Sequence, residues 1–366
     1  MFKIIYLFYK YPLLSGSLIY IINIKCSGYA LNKGLTSKLK RSFPNATPVR
    51  YFQKRLYSTN NHLHTYVKLT PQFITGFTDG QGSFIIFITE DKRNNNNITK
   101  YNCSLRFSIG LHIRDKVLLE RIQAYFKGIG SITKLDEEAV FYRVTSIKDL
   151  ALIIDHFDKY PLITNKYADY LLFKAAFELI TNKLHLTPEG FKNLLSIKAS
   201  INKGFSKELN SNFPGIIPID RPLSVLNIKY IDSAWVAGFV SAEGCFIINI
   251  FKASTKTGFK VSLRLKISQL ARDEVLMKSL ISYLGCGGWY LDKNKKEGQY
   301  IVSSLSDILE KIIQLFNEHP VEGIKALDFK DWCKVAFMLK EKHHLTKEGL
   351  EKIFQIKASM NKGRSN

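Results

Sequence analysis

The chain has 366 residues, and its 53 Lys and Arg against 31 Asp and Glu leave a formal charge of +22, a field suited to a polyanionic partner. Charge runs also occur as plain solvated faces, so the excess alone does not decide for nucleic acid. Five cysteines, Cys26, Cys103, Cys245, Cys286 and Cys333, show no paired metal-ligand spacing and read as reduced core or surface thiols.

The first acidic residue is Asp79. Residues 1–57 hold ten Lys or Arg among many hydroxyl and aromatic side chains and end near Gln53-Lys54-Arg55-Leu56-Tyr57. With Arg55 set before a processing point at Tyr57, the segment reads as a mitochondrial targeting peptide. An unstructured basic arm, or a remnant of upstream coding sequence, fits the same composition. A membrane span over residues 4–24 is interrupted by Lys10, Pro12 and Asn23.

From residue 68 the chain says one thing twice. Residues 74–84 read Ile-Thr-Gly-Phe-Thr-Asp-Gly-Gln-Gly-Ser-Phe and residues 236–246 read Val-Ala-Gly-Phe-Val-Ser-Ala-Glu-Gly-Cys-Phe, an offset of 162 (244 minus 82). Each run follows an N-cap signal, Thr70-Pro71 or Asp232-Ser233. Phe73, Gly76, Phe77 and Gly80 then recur at helical spacing, as do Trp235, Gly238, Phe239 and Ala242. Gly76, Gly80, Gly238 and Ala242 therefore form a small-residue face on each helix, expected to pair the two helices across a pseudo-two-fold.

β-Branched and aromatic residues follow at 83–89 with 103–109 and at 245–251 with 259–267. Next come helices at 116–126 and 274–284, then short strand pairs at about 130–135 with 139–146 and 288–292 with 298–304, then closing helices. The expected fold is α+β: two tandem α-β-β-α-β-β-α repeats, each closed by a further helix, with two antiparallel sheets. Arg114-Asp115 recurs as Arg272-Asp273 at an offset of 158 (272 minus 114). Leu186-Thr187-Pro188-Glu189-Gly190 and Lys198-Ala199-Ser200-Ile201-Asn202-Lys203-Gly204 recur as Leu345-Thr346-Lys347-Glu348-Gly349 and Lys357-Ala358-Ser359-Met360-Asn361-Lys362-Gly363, at an offset of 159 (345 minus 186). The repeats span 68–204 and 229–363, joined by a linker at 205–228 that carries Pro214, Pro218 and Pro222. Duplication of a globular unit, not a short-repeat solenoid, explains this pattern.

Period-two alternation puts Ser104, Arg106 and Ser108 on one sheet face, and Lys260, Ser262, Arg264 and Lys266 on one face of the other. Arg106, Lys260, Arg264 and Lys266 are thus candidate nucleic-acid contacts, since a twisted polar strand ribbon enters the major groove and reads base edges.

The paired Gly-Phe-x-x-x-(Gln/Glu)-Gly motif, with the repeated Leu-Thr-x-Glu-Gly and Lys-Ala-Ser-x-Asn-Lys-Gly runs, resembles that of single-chain, two-repeat LAGLIDADG homing endonucleases over residues 68–363. The resemblance implies a monomer that binds double-stranded DNA through its two sheets and hydrolyses phosphodiesters with Mg²⁺, without a small-molecule cofactor. It implies metal-binding catalytic positions at Gln81 and Glu243, and catalytic lysines at Lys166 and Lys325. A carboxylate there suits Mg²⁺, which is held by one or two acids plus phosphate oxygens. Gln81 departs from the pattern because an amide brings no charge, so double-strand cleavage is expected to weaken toward nicking. Asp79 is no substitute: two positions earlier is about 200° around a helix, pointing elsewhere. Asp169 and Asp328, three residues after the lysines, are read as capping or pairing groups. A non-cleaving maturase acting on group I intron RNA, or a co-opted nucleic-acid-binding protein in a mitochondrial complex, would use the same basic scaffold.

Overall fold

Thr70 Oγ1 accepts the Phe73 amide 3.2 Å away, and Asp232 Oδ1 accepts those of Ala234 and Trp235, so both anticipated caps start their helices. These helices are α1, Pro71–Gln81, and α7, Ser233–Glu243. The computed structural model describes residues 68–91, 101–222 and 231–364. The targeting-like segment at 1–57 and the end of the linker lie outside the described residues.

Each helix runs without a loop into a strand. Gly82 and Gly244 sit at these junctions, where a Cβ would stand 2.9 Å from the Thr78 carbonyl oxygen or 2.6 Å from that of Val240. The last glycine of the motif is therefore a steric requirement of the helix-to-strand corner.

In the first repeat, α1 leads to β1 Gly82–Glu90, β2 Tyr101–His112, α2 Lys116–Tyr125, β3 Ser131–Lys134 and β4 Ala139–Val144. Three helices close it: α3 Ile147–Lys159, α4 Lys166–Thr181 and α5 Pro188–Ser200. After α6, Lys207–Asn212, and then α7, the second repeat has β5 Gly244–Lys252, β6 Phe259–Leu270, α8 Glu274–Leu284, β7 Gly288–Leu291 and β8 Glu297–Val302. It closes with α9, which runs through Leu305–Asp307, a π turn at Ile308–Ile312 and Ile313–Glu318, then α10 Ile324–Lys340 and α11 Lys347–Ala358. The expected order holds, with one more closing helix per repeat than the sequence periodicity resolves. The linker, read as irregular from its prolines, also contains α6, whose Leu209 is buried.

The sheets are antiparallel, in order β1-β2-β4-β3 and β5-β6-β8-β7. Alternate residues of β1 and β2, Phe84, Ile86, Leu105, Phe107 and Ile109, are buried under the closing helices, which leaves the other face open. Phe84 stands 5.3–5.6 Å from Phe107, Phe157, Tyr170 and Phe173. The second repeat rebuilds this cluster around Phe246, with Phe316, Phe329 and Trp332 at 5.2–6.1 Å. These are the same repeat positions, so the duplication extends to the core.

Apart from a dip to 157 at β3 and β7 (288 minus 131) that β4 and β8 reverse (297 minus 139), two local events account for the changing offset. Ten residues separate β1 from β2 (101 minus 90, less one) and six separate β5 from β6 (259 minus 252, less one), which lowers the offset from 162 to 158. The later rise to 159 is one inserted residue, and the π turn in α9 absorbs it where α3 stays α-helical.

Candidate active site at the helix pair

α1 and α7 pack backbone to backbone. A Cβ on Gly76 would stand 2.1 Å from the Trp235 carbonyl oxygen, and one on Gly238 would stand 2.1 Å from that of Phe73. Gly80 faces the Ala242 methyl group in the same way, 2.3 Å from where its own Cβ would be. The four small residues singled out in the sequence thus form the contact, and nothing larger fits at Gly76 or Gly238 without parting the helices.

This approach brings the two C-terminal ends together. Gln81 Nε2 lies 3.3 Å from Glu243 Oε1 and 3.4 Å from the Ala242 carbonyl oxygen. In place of two carboxylates that would repel, the chain has an amide that donates to the single acid.

A lysine from each repeat lies beneath them. Lys166, the first residue of α4, donates to the carbonyl oxygens of Thr78 at 2.9 Å and Gly80 at 2.8 Å, and Lys325, at the start of α10, donates to that of Ala242. These carbonyls belong to the last turn of α1 or α7, at the negative end of the dipole, and that of Thr78 also accepts the Gly82 amide. Burial pulls Lys166 down to about 8 against the opposing pull of Asp79, Glu243, Asp169 and Asp273, and burial lowers Lys325 as well. Gln81, Glu243, Lys166 and Lys325 are therefore brought together.

Asp79 borders this cleft yet is committed elsewhere. It is 3% exposed, and its oxygens accept the Ile163 and Thr164 amides at 3.1 Å, the Thr164 hydroxyl at 2.6 Å and the Trp235 indole N–H at 2.8 Å. Burial raises its pKa while these donors hold it down. Its counterpart Ser241 accepts the Glu322 amide at 2.9 Å, so both positions tether the loop that leads into a lysine-bearing helix.

Asp169 and Asp328 are pairing groups. Each accepts the amide of the repeated tail asparagine, Asn202 or Asn361, whose side chain donates to the Phe84 or Phe246 carbonyl oxygen. Arg221 of the linker meets Asp169 at 2.8 Å, as Arg364 meets Asp328 at 2.7 Å. The repeated Leu-Thr-x-Glu-Gly is an N-cap: Thr187 and Thr346 accept the amides of Gly190 and Gly349, where a Cβ would collide with a carbonyl oxygen at 2.0 Å.

A cleft of about 320 Å³ opens beside Glu243 and Lys166, closed on the far side by Ser268, Gln269 and Arg272 of the second repeat. A wider hollow of about 900 Å³ lies by Gln81, bounded by His112, Asp136, Glu137 and Glu138. The turn supplying those three acids corresponds to one with Lys293, Lys295 and Lys296 in the second repeat, but the smaller cleft is lined by Glu297 beside them and not by these lysines.

On the open faces, Lys260 and Arg264 are exposed, Lys266 is half-buried, and the Arg106 guanidinium sits 4.4 Å above the Phe87 ring. Arg143, 4.7 Å above Phe141 and bonded to Thr133, belongs to the same face and was missed, although alternation through β4 points to it. For a metal, Glu243 and the Gln81 side-chain oxygen form an all-oxygen donor set that suits a hard cation and not zinc. Among the described residues no group of three or more His, Cys, Asp or Glu is placed to hold an ion alone.

The sequence profile described as LAGLIDADG endonuclease matches this chain twice, over residues 74–177 and 236–336. The chain belongs to the LAGLIDADG endonuclease family. It is 36% identical to probable intron-encoded endonuclease 3 of Neurospora crassa, over 91% of this chain and 63% of that protein. It is 39% identical to probable intron-encoded endonuclease 2 of the same organism, over 87% of this chain and 72% of that protein. The crystal structure of the I-SmaMI LAGLIDADG homing endonuclease bound to cleaved DNA superposes with a TM-score of 0.77 at 42% identity, covering 81% of this chain and 99% of that one. The LAGLIDADG motif helices are thus α1 and α7, and the two four-stranded sheets are the family's pair.

Proposed function

We propose that this protein is a site-specific, metal-dependent DNA endonuclease of mitochondrial DNA that cuts one strand faster than the other. The observation that carries the reading is the meeting of Glu243, Gln81, Lys166 and Lys325 at the ends of the paired helices, between two sheets with basic open faces. The relatives' names as intron-encoded endonucleases and the DNA in the I-SmaMI complex support the substrate. I-SmaMI has also been solved with uncleaved DNA and calcium, which supports a divalent cation. Solved variants of I-SmaMI replace two lysines 159 residues apart (262 minus 103), singly and together, and Lys166 and Lys325 have that separation (325 minus 166). A relative named as a mitochondrial protein of Saccharomyces cerevisiae, 30% identical over 177 residues, supports the compartment along with the acid-free leader.

Glu243 would hold Mg²⁺ with phosphate oxygens and water completing the shell, and the Gln81 amide oxygen would be a weaker, neutral second donor. The ion supplies charge neutralisation and a more acidic water. An ammonium has three donors, and Lys166 has two on carbonyls, which leaves one for a phosphate oxygen or the attacking water in the cleft. On the Gln81 side the missing carboxylate would weaken the hold on an ion, and the three nearby acids repel the DNA phosphates, hence the strand preference. DNA held on the basic faces should lose about 10³–10⁵ in affinity between 50 and 200 mM salt if six to ten phosphates are neutralised.

The test is strand-resolved cleavage of mitochondrial DNA by the full chain with Mg²⁺. Nicked product should appear before linear product. No scission with any divalent metal, together with tight binding to a group I intron transcript, would overturn the reading in favour of a maturase, which the neutral Gln81 also suits.

A further inference from the structure

Arg114-Asp115 and Arg272-Asp273 are, in sequence, only a repeated dipeptide. In space each aspartate leaves its own repeat. Asp273, from the second repeat and 2% exposed, accepts the Asn165 main-chain amide at 2.7 Å and its side-chain amide at 3.0 Å. The neighbouring Arg272 carbonyl oxygen takes a side-chain N–H of Asn165 at 2.7 Å. Asn165 is the N-cap of α4, whose first residue is Lys166. Reciprocally, Asp115 from the first repeat accepts the Ile324 amide at 2.7 Å, one residue before Lys325 at the start of α10. Gly323 makes room for it, with φ of 71° and a position where a Cβ would stand 2.4 Å from Asp115 Oδ1.

Neither N-cap residue, Asn165 or Gly323, caps its lysine-bearing helix with its own side chain, and within the first repeat Thr164 Oγ1 accepts the Lys166 amide at 3.2 Å. A helix start presents unpaired N–H groups and a positive dipole end, and a buried carboxylate satisfies both. Because Lys166 and Lys325 sit within the first two residues of their helices, any movement of that first turn moves the ammonium.

We propose that Asp115 and Asp273 are crossed positioning residues: each fixes, through the helix start of the opposite repeat, where that repeat's lysine stands over the carbonyl ends of the motif helices. Its catalytic consequence rests on the endonuclease reading, whereas the structural clasp does not. Within its own repeat each lysine's helix start is held by Asp79 with Thr164, or by Ser241, and pairing adds the carboxylate from the other repeat.

Hydrogen exchange on the full chain tests the clasp without any cleavage. Asp273→Ala should deprotect the first turn of α4 in the first repeat, and Asp115→Ala the first turn of α10 in the second. Deprotection confined to the mutated repeat, or none, overturns the proposal. Cleavage provides the second arm. Asp273→Ala should slow single-turnover cleavage at least about tenfold, since misplacement by an ångström costs up to about 10²-fold, with target-DNA affinity held within about threefold. Its effect should vanish in the Lys166→Ala background and multiply fully with Lys325→Ala, a pattern that general destabilisation does not produce. Multiplication in both backgrounds overturns the positioning role. Asp273→Asn keeps an acceptor oxygen of the same reach and serves if the alanine variant fails to fold; it should retain protection of α4. If the unaltered chain cuts no DNA, the endonuclease reading falls and the exchange arm still decides the clasp.

Discussion

Substituting Gly76 by alanine puts a methyl group 2.1 Å from the Trp235 carbonyl oxygen. Carbon and carbonyl oxygen approach in proteins to about 3.3 Å, so α1 and α7 must separate by about 1 Å along that line. Overpacking of this kind costs about 1–3 kcal/mol, and here the upper end is expected, because the obstacle is backbone and not a side chain that turns aside. Gly238→Ala meets the same distance against the Phe73 carbonyl oxygen and should cost the same. The double variant should cost clearly less than the sum, because helices already parted for one methyl admit the other. Urea denaturation of the single and double variants provides the free energies. Strand-resolved cleavage should fall by about 10²-fold, as expected for catalytic groups displaced by about 1 Å, since Gln81 and Glu243 ride on the same two helices. A Gly76→Ala change within about 0.5 kcal/mol of the parent, or strictly additive single costs, would refute the backbone-to-backbone account.

Gln81→Glu replaces the amide donor 3.3 Å from Glu243 Oε1 with a second carboxylate. It should lower the melting temperature in chelator, recover it with Mg²⁺, and raise the ratio of double-strand to single-strand cleavage; a melting temperature indifferent to metal and an unchanged ratio would count against the site. His156 is held neutral in the core: Thr75 Oγ1 donates to the Tyr160 carbonyl oxygen and so receives the Nε2 proton, while Tyr125 donates to Nδ1. Burial lowers it from 6.5 to about 3, so its contribution to stability is complete above pH 6.5 and is lost as pH falls toward 3. One proton corresponds to at most about 1.4 kcal/mol per pH unit. His156→Leu, with the residue found at the matching Leu315, should flatten the stability curve in that window while lowering stability at neutral pH; an unchanged slope in denaturation from pH 7 to 4 would argue against it.

The repeat was legible because duplication leaves the same small and aromatic residues at the same spacing, and each recurrence has a structural cause. Gly76 and Gly238 face carbonyl oxygens, Thr187 and Thr346 cap helices, and Asn202 and Asn361 tie the tail to Phe84 and Phe246. The gathering of Glu243, Gln81 and two lysines was legible only through family resemblance, since the lysines lie more than eighty residues from the motif residues they bond. Helical geometry set Asp79 apart from Gln81 and Glu243, but it borders their cleft, and what commits it elsewhere, its bonds to Thr164 and to Trp235 of the other repeat, has no sequence signal.

The sequence by itself determined the duplication, the capped small-residue helices, the strand alternation and the asymmetry of Gln81 against Glu243. Those properties depend on local spacing and residue type. Tertiary structure decided which repeat supports which. The clasp of Asp273 on Asn165 and of Asp115 on Ile324 exists only once two helices that meet backbone to backbone at Gly76 and Gly238 have docked. The offset shift from 158 to 159 was visible in the chain, but its absorption as a π turn in α9 was not. A single inserted residue can enter a loop or a helix, and packing of Ile308, Ile312 and Phe316 into the core held the helix in register at both ends.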